Sequence, residues 1–140
     1  MKMLDVYSLF TVPDIAAQRE FYRKHFAAKV VFEANWLVFL SLPVEDGERS
    51  LVFMTPDHPG TAPGPEPFDG RGVIVTIQVA DAAAAHAALA ASGVPVTYPL
   101  TDEPWGQRRF MVRDPAGVLI DVVEQTVPAA GYWDRYIVRG

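Results

Sequence analysis

Val12-Pro13-Asp14-Ile15 closes a β-branched and aromatic run that begins at Val6, and Val79-Ala80-Asp81 closes a second such run that begins at Val73. In both places a strand-like segment ends at an aspartate, and a helix-like segment follows. Aspartate is a good N-cap because its carboxylate accepts from the first free backbone N–H groups of a helix. After Asp14 the apolar residues Ile15, Tyr22 and Phe26, with Phe21 beside them, fit one helical face. After Asp81 the alanine-rich stretch from Ala82 to Ser92 fits a helix that Gly93 ends.

Each helix is followed by three strand-like segments. In the first half these are Val30-Val31-Phe32, Trp36 to Leu42 and Leu51 to Met54, with a polar hairpin turn at Glu45-Asp46-Gly47-Glu48. In the second half they are Val96 to Tyr98, Arg109 to Arg113 and Val118 to Val123, with a turn at Asp114-Pro115-Ala116-Gly117. Strand, helix, three strands is thus written twice. The expected class is α+β, with two βαβββ modules forming curved mixed sheets in one domain, 1–140. Module one covers 5–55 and module two 72–125. The connector 56–71 holds Pro56, Pro59, Pro63, Pro65 and Pro67 with Gly60, Gly64 and Gly70, too dense for a regular element. The tail 126–140 carries Tyr132, Trp133 and Tyr136 and is aromatic enough to dock on the body or on a partner subunit.

Composition narrows the function. The chain has 140 residues, no cysteine and a net charge of −5. Disulfides and thiolate metal sites are excluded. The acidic balance argues against nucleic acid, whose phosphates need a surplus of Lys and Arg, and mildly favours cationic or neutral ligands. No apolar run approaches the ~20 residues that span a bilayer, and Met1-Lys2-Met3-Leu4-Asp5 lacks a signal-peptide core. A cytoplasmic protein with no membrane partner is expected.

Two βαβββ modules in a chain of this length resemble the vicinal-oxygen-chelate superfamily, which includes glyoxalase I, extradiol dioxygenases and the fosfomycin and bleomycin resistance proteins. Val12-Pro13-Asp14-Ile15, Phe21-Tyr22 and Phe26-Ala27 are similar to its V-x-D-L and F-Y-x-x-x-L-G signature, with Ala27 in place of the glycine. Asp114-Pro115-Ala116-Gly117 and Leu119-Ile120-Asp121 are similar to its D-P-x-G ending. In metal-using members, the resemblance implies, four strand positions point into a cup and hold His, Gln or Glu. Carried over one at a time, those positions are Tyr7, Phe53 (within one residue), Ile74 and Asp121. Only the last is an ordinary ligand for a divalent cation. His25, His58 and His86 lie on the first helix, in the connector and on the second helix, without ligand spacing. Neither a metal nor any other cofactor is expected.

The run Glu103-Pro104-Trp105-Gly106, followed by Phe110-Met111-Val112-Arg113-Asp114, resembles bleomycin resistance proteins most closely. The resemblance implies a homodimer that sequesters a drug in grooves between subunits, with Trp105 and Trp36 stacking on a flat ligand. Such stacking is worth roughly 0.5–1.5 kcal/mol per aromatic pair. The nominated ligand-binding residues are Trp105, Trp36, Tyr7, Phe53, Ile74, Asp121 and Phe110. Strand alternation puts Tyr7 with Leu9, Leu51 with Phe53, Ile74 with Thr76, and Asp121 with Leu119 and Val123 on interior faces. Asp102, Glu103 and Asp121 would attract a cationic ligand. The leading expectation is a non-catalytic binder of a small aromatic or cationic molecule, sequestering an antibiotic or related metabolite. Two alternatives stay open. One is an enzyme of the same superfamily, a lyase, isomerase or dioxygenase, with a displaced metal site or with Asp121 as a lone base. The other is an interaction module whose cup is filled by its own side chains.

Overall fold

The computed structural model describes residues 1–139, so the last residue of the tail lies outside it. The chain divides into two compact units. The first is Met1–Arg71 together with Asp114–Gly117, and the second is Gly72–Arg113 with Val118–Gly140.

In the first unit, strand β1 (Ser8–Thr11) leads into helix α1 (Ile15–Phe26), then β2 (Lys29–Ala34), β3 (Leu37–Val44) and β4 (Gly47–Met54). The sheet order is β1-β4-β3-β2, with β1 parallel to β4 and the other pairs antiparallel. The second unit repeats this with β5 (Ile74–Gln78), α2 (Ala82–Ala91), β6 (Val96–Glu103), β7 (Gln107–Arg113) and β8 (Leu119–Gln125), in the order β5-β8-β7-β6. The twice-written βαβββ fold is therefore present. A short 3₁₀ turn, Tyr132–Arg135, follows in the tail.

The repeat extends to the caps. Asp14 accepts from the Ala17 N–H at 3.0 Å, and Asp81 from the Ala84 N–H at 3.0 Å. The two residues share one backbone conformation, φ/ψ −140/97 and −142/98. In α2 a second carboxylate, Glu124, accepts from the Ala82 N–H at 2.9 Å. Helix α1 ends at Ala27, which is left-handed at φ 54, and the Ala28 N–H closes back on the Tyr22 carbonyl at 3.1 Å. Gly93, at φ +81, follows α2 without steric cost.

Each helix covers one face of its own sheet. In the first unit Tyr22 stacks on Phe53 with ring centroids 5.4 Å apart, and Phe53 on Phe10 at 5.9 Å. Val38 and Leu40, in register with Phe53 and Leu51, complete that core. In the second unit Phe110, Val112, Ile120 and Val122 are buried with Ala82 and Leu89, and His86 meets the Phe110 ring edge-on at 5.1 Å. Among the described residues no α-helix of either unit covers the opposite face of its sheet, which is called the open face below.

One polar cluster is buried in the first unit. Asp114 Oδ2 accepts from Gln18 Nε2 and from the Tyr22 hydroxyl, both at 2.7 Å. The Ala116 N–H donates to Gln18 Oε1 and to Asp114 Oδ1, both at 2.9 Å. The aspartate of the D-P-x-G turn is thus a clamp on α1. Burial, with Asp114 reinforcing it, pushes the Tyr22 hydroxyl far above its ordinary pKa.

Candidate functional site

The open face of the second sheet gathers the chemistry. Registers place Arg109 opposite Thr101 and Val123, and Met111 opposite Tyr98 and Asp121. Side chains in register share a face. Tyr98, Thr101, Glu103, Arg109, Met111 and Asp121 therefore stand together, away from α2.

Arg109 is the centre of that group. Its Nε donates to Glu103 Oε2 at 2.7 Å, and its Nη1 to Asp121 Oδ2 at 3.3 Å. The guanidinium carbon lies 5.2 Å from the Tyr98 ring centroid and 5.1 Å from that of Trp105, so an aromatic ring flanks it twice. The Tyr98 hydroxyl in turn donates to Glu103 Oε2 at 3.1 Å. Burial works to lower the Arg109 pKa, but the bond to Glu103 and the fields of both carboxylates outweigh it and hold it raised. Asp121 is 6% exposed, and burial raises its carboxyl against the opposing pull of Arg109. Its Oδ1 atom is buried without a hydrogen-bond partner.

Trp105 sits in the turn between β6 and β7, half-buried. Its Nε1 donates to Gln107 Oε1 at 2.9 Å, and its carbonyl accepts from Trp133 Nε1 at 2.9 Å. Gly106 is required beside it. A Cβ there would meet Pro128 Cγ at 2.8 Å and the Thr126 carbonyl at 2.9 Å, and its φ is +108. The aromatic tail therefore docks on the Glu103–Gly106 turn within its own unit, with the Tyr132 ring 6.4 Å from Trp105.

The other nominated residues are dispersed. Phe53 and Phe110 lie on the helix-covered faces and are fully buried in core packing, so the alternation that set Phe53 on an interior binding face is reversed. The register puts Leu9 opposite Val52, so Val52 is the β4 residue on the open face of the first sheet. Trp36 is half-buried in the β2–β3 turn, not on β3, and its carbonyl accepts from the Thr55 N–H at 2.9 Å. Tyr7 precedes β1, 50% exposed, with its ring edge-on to Phe39 at 5.0 Å. Ile74 alone among them shares the open face of the second sheet with Asp121, two residues before Thr76 at the start of β5, and is 51% exposed.

These residues do not fit a divalent metal. Neither Ile74 nor Phe53, nor Val52 in its place, has a donor atom, and one oxygen of Asp121 already serves a guanidinium. Among the described residues no group of three or more His, Cys, Asp or Glu is placed to hold a metal ion. Nor, among them, is any helix long and apolar enough to cross a membrane.

Arg109 and Tyr98 escaped the sequence reading. Their signal was faint: a basic residue sits two positions before Met111, which pairs with Asp121, and acidic Glu103 lies across the hairpin. Only the register makes these neighbours.

A family model for the glyoxalase/bleomycin resistance protein/dioxygenase superfamily matches residues 5–122. No curated protein matches the chain. Among solved structures, a protein of unknown function from Agrobacterium tumefaciens is 26% identical, with a TM-score of 0.68, covering 89% of this chain and 96% of that one. A glyoxalase/bleomycin resistance protein/dioxygenase from Nocardioides is 18% identical, with a TM-score of 0.69 and coverage of 90% and 85%. A lactoylglutathione lyase from Agrobacterium tumefaciens is 21% identical, with a TM-score of 0.68 and coverage of 88% and 94%.

Proposed function

The chain belongs to the glyoxalase/bleomycin resistance protein/dioxygenase superfamily, and we propose that within it this protein holds a small organic molecule without transforming it. The observation that carries the reading is the fate of Asp121. It is the one ordinary ligand among the four positions compared, and it is ion-paired to Arg109. One of its oxygens serves a guanidinium held by two carboxylates and two rings, and Tyr7, Phe53 and Ile74 add no ordinary ligand.

The ligand we favour is an aromatic antibiotic or related metabolite, sequestered as bleomycin resistance proteins sequester their drug. The Glu103-Pro104-Trp105-Gly106 turn supports this, because its indole is only half-buried and borders a polar array. We further propose a cytoplasmic homodimer. Tyr7, Leu9 and Ile74 leave apolar surface exposed at or beside the edge strands β1 and β5, and a second copy would cover it. Elemental analysis of the purified protein tests the metal-free part, which stoichiometric Mn, Fe, Ni or Zn would refute.

A catalytic reading keeps one observation in its favour. Asp121 is buried with a raised pKa and a spare oxygen, as a general base requires. Turnover that is lost in Asp121→Asn while binding persists would establish it.

A further inference from the structure

On the open face of the second sheet, where Arg113 ends β7 two residues beyond Met111, one array carries a charge that its own three members do not balance. Glu103 and Asp121 bring two carboxylates to one guanidinium, so the array holds one negative charge in excess. The two acids are served unequally. Glu103 receives Arg109 Nε at 2.7 Å and the Tyr98 hydroxyl at 3.1 Å. Asp121 receives a single bond, through Oδ2, at a long 3.3 Å. Its Oδ1 has no donor, although the side chain is only 9% exposed. A buried carboxylate oxygen is among the most costly groups to leave unpaired. Its strongest complement is a cationic N–H, which supplies the bond and the missing charge together.

The surroundings admit such a group. On β5 the position in register with Asp121 is Thr76, which is small and exposed. The half-buried Trp105 borders the same array through Arg109.

We propose that the Glu103–Arg109–Asp121 array is the cation-recognising end of the ligand site, where a protonated amidine or amine on a flat conjugated molecule donates to Asp121 Oδ1. This rests on the binding reading above and names the chemistry of its ligand. An anion meets the excess negative charge and is rejected. A neutral amide makes the same hydrogen bond but leaves the charge unbalanced.

Three isosteric probes separate these cases: benzamidine, benzamide and benzoate. Each is titrated into the full chain while the backbone amide resonances are followed by NMR. Benzamidine should shift the amides of Thr76, Arg109 and Asp121 saturably, and bind about tenfold more tightly than benzamide. Benzoate should leave them unmoved. In Asp121→Asn, near-isosteric and checked by its own spectrum, the benzamidine preference should vanish. If that variant does not fold, the wild-type order of the three probes still decides. Equal binding of benzoate, shifts confined to other regions, or no response to benzamidine would overturn the proposal. If benzamidine fails while an aromatic antibiotic raises the melting temperature, this inference falls and the binding reading stands.

Discussion

Removing Arg109 and altering Asp121 should have unequal effects on stability. Arg109→Met strands two largely buried carboxylates, Glu103 and Asp121, and should cost about 2–4 kcal/mol. Asp121→Asn removes a charge that has one long bond and an unpartnered oxygen, and should cost less than about 1 kcal/mol. Urea denaturation of the two variants measures the difference, and equal losses would contradict the asymmetry. Tyr22 offers a pH-dependent counterpart. Its hydroxyl pKa is raised in the folded chain, so the unfolded chain loses the proton first. The stability it contributes is complete below about pH 10, the ordinary tyrosine value, and is lost progressively as pH rises above it. Tyr22→Phe should cost about 1–2 kcal/mol at neutral pH and flatten the alkaline decline, as denaturation at pH 7 and pH 11 would show.

Among the elements, helix ends are the most exposed to single changes. Ala27 holds a left-handed conformation at φ 54, where a Cβ is strained. Ala27→Gly should raise stability by about 0.5–1 kcal/mol despite the added chain entropy, seen as a higher melting temperature. Helix α2 is nearly all alanine and leans on its cap, so Asp81→Ala should cost about 1 kcal/mol. Both helices were legible from their aspartate caps, and the succession of strand, helix and three strands from apolar runs. Strand ends were not. β6 runs on to Glu103 and β7 starts at Gln107, because that end of the hairpin is joined by ion pairs, Arg108 with Asp102 and Arg109 with Glu103. An apolar pattern cannot register polar pairing. The same blindness hid Arg109 from the site. It also let Phe53 pass as a binding residue, since a residue slip of one reverses every face of a strand. Trp105 was nominated from the resemblance of its turn to bleomycin resistance proteins, and the close approach of Pro128 and Thr126 gives the physical reason for the glycine beside it.

At the scale of the whole molecule, the proposal is a homodimer that binds its ligand without a metal. Light scattering should give twice the 15.4 kDa chain mass, and a monomer would count against the second copy. The most direct test of the central claim is a thermal-unfolding screen of chelator-treated protein against aromatic antibiotics, cationic members included. At about 100-fold over Kd a bound ligand adds about 2.7 kcal/mol, or roughly 10 °C in Tm for a chain of this size. The account predicts such a rise for at least one compound with no metal added. No rise across the panel, or a rise that appears only when a divalent metal is restored, would contradict it.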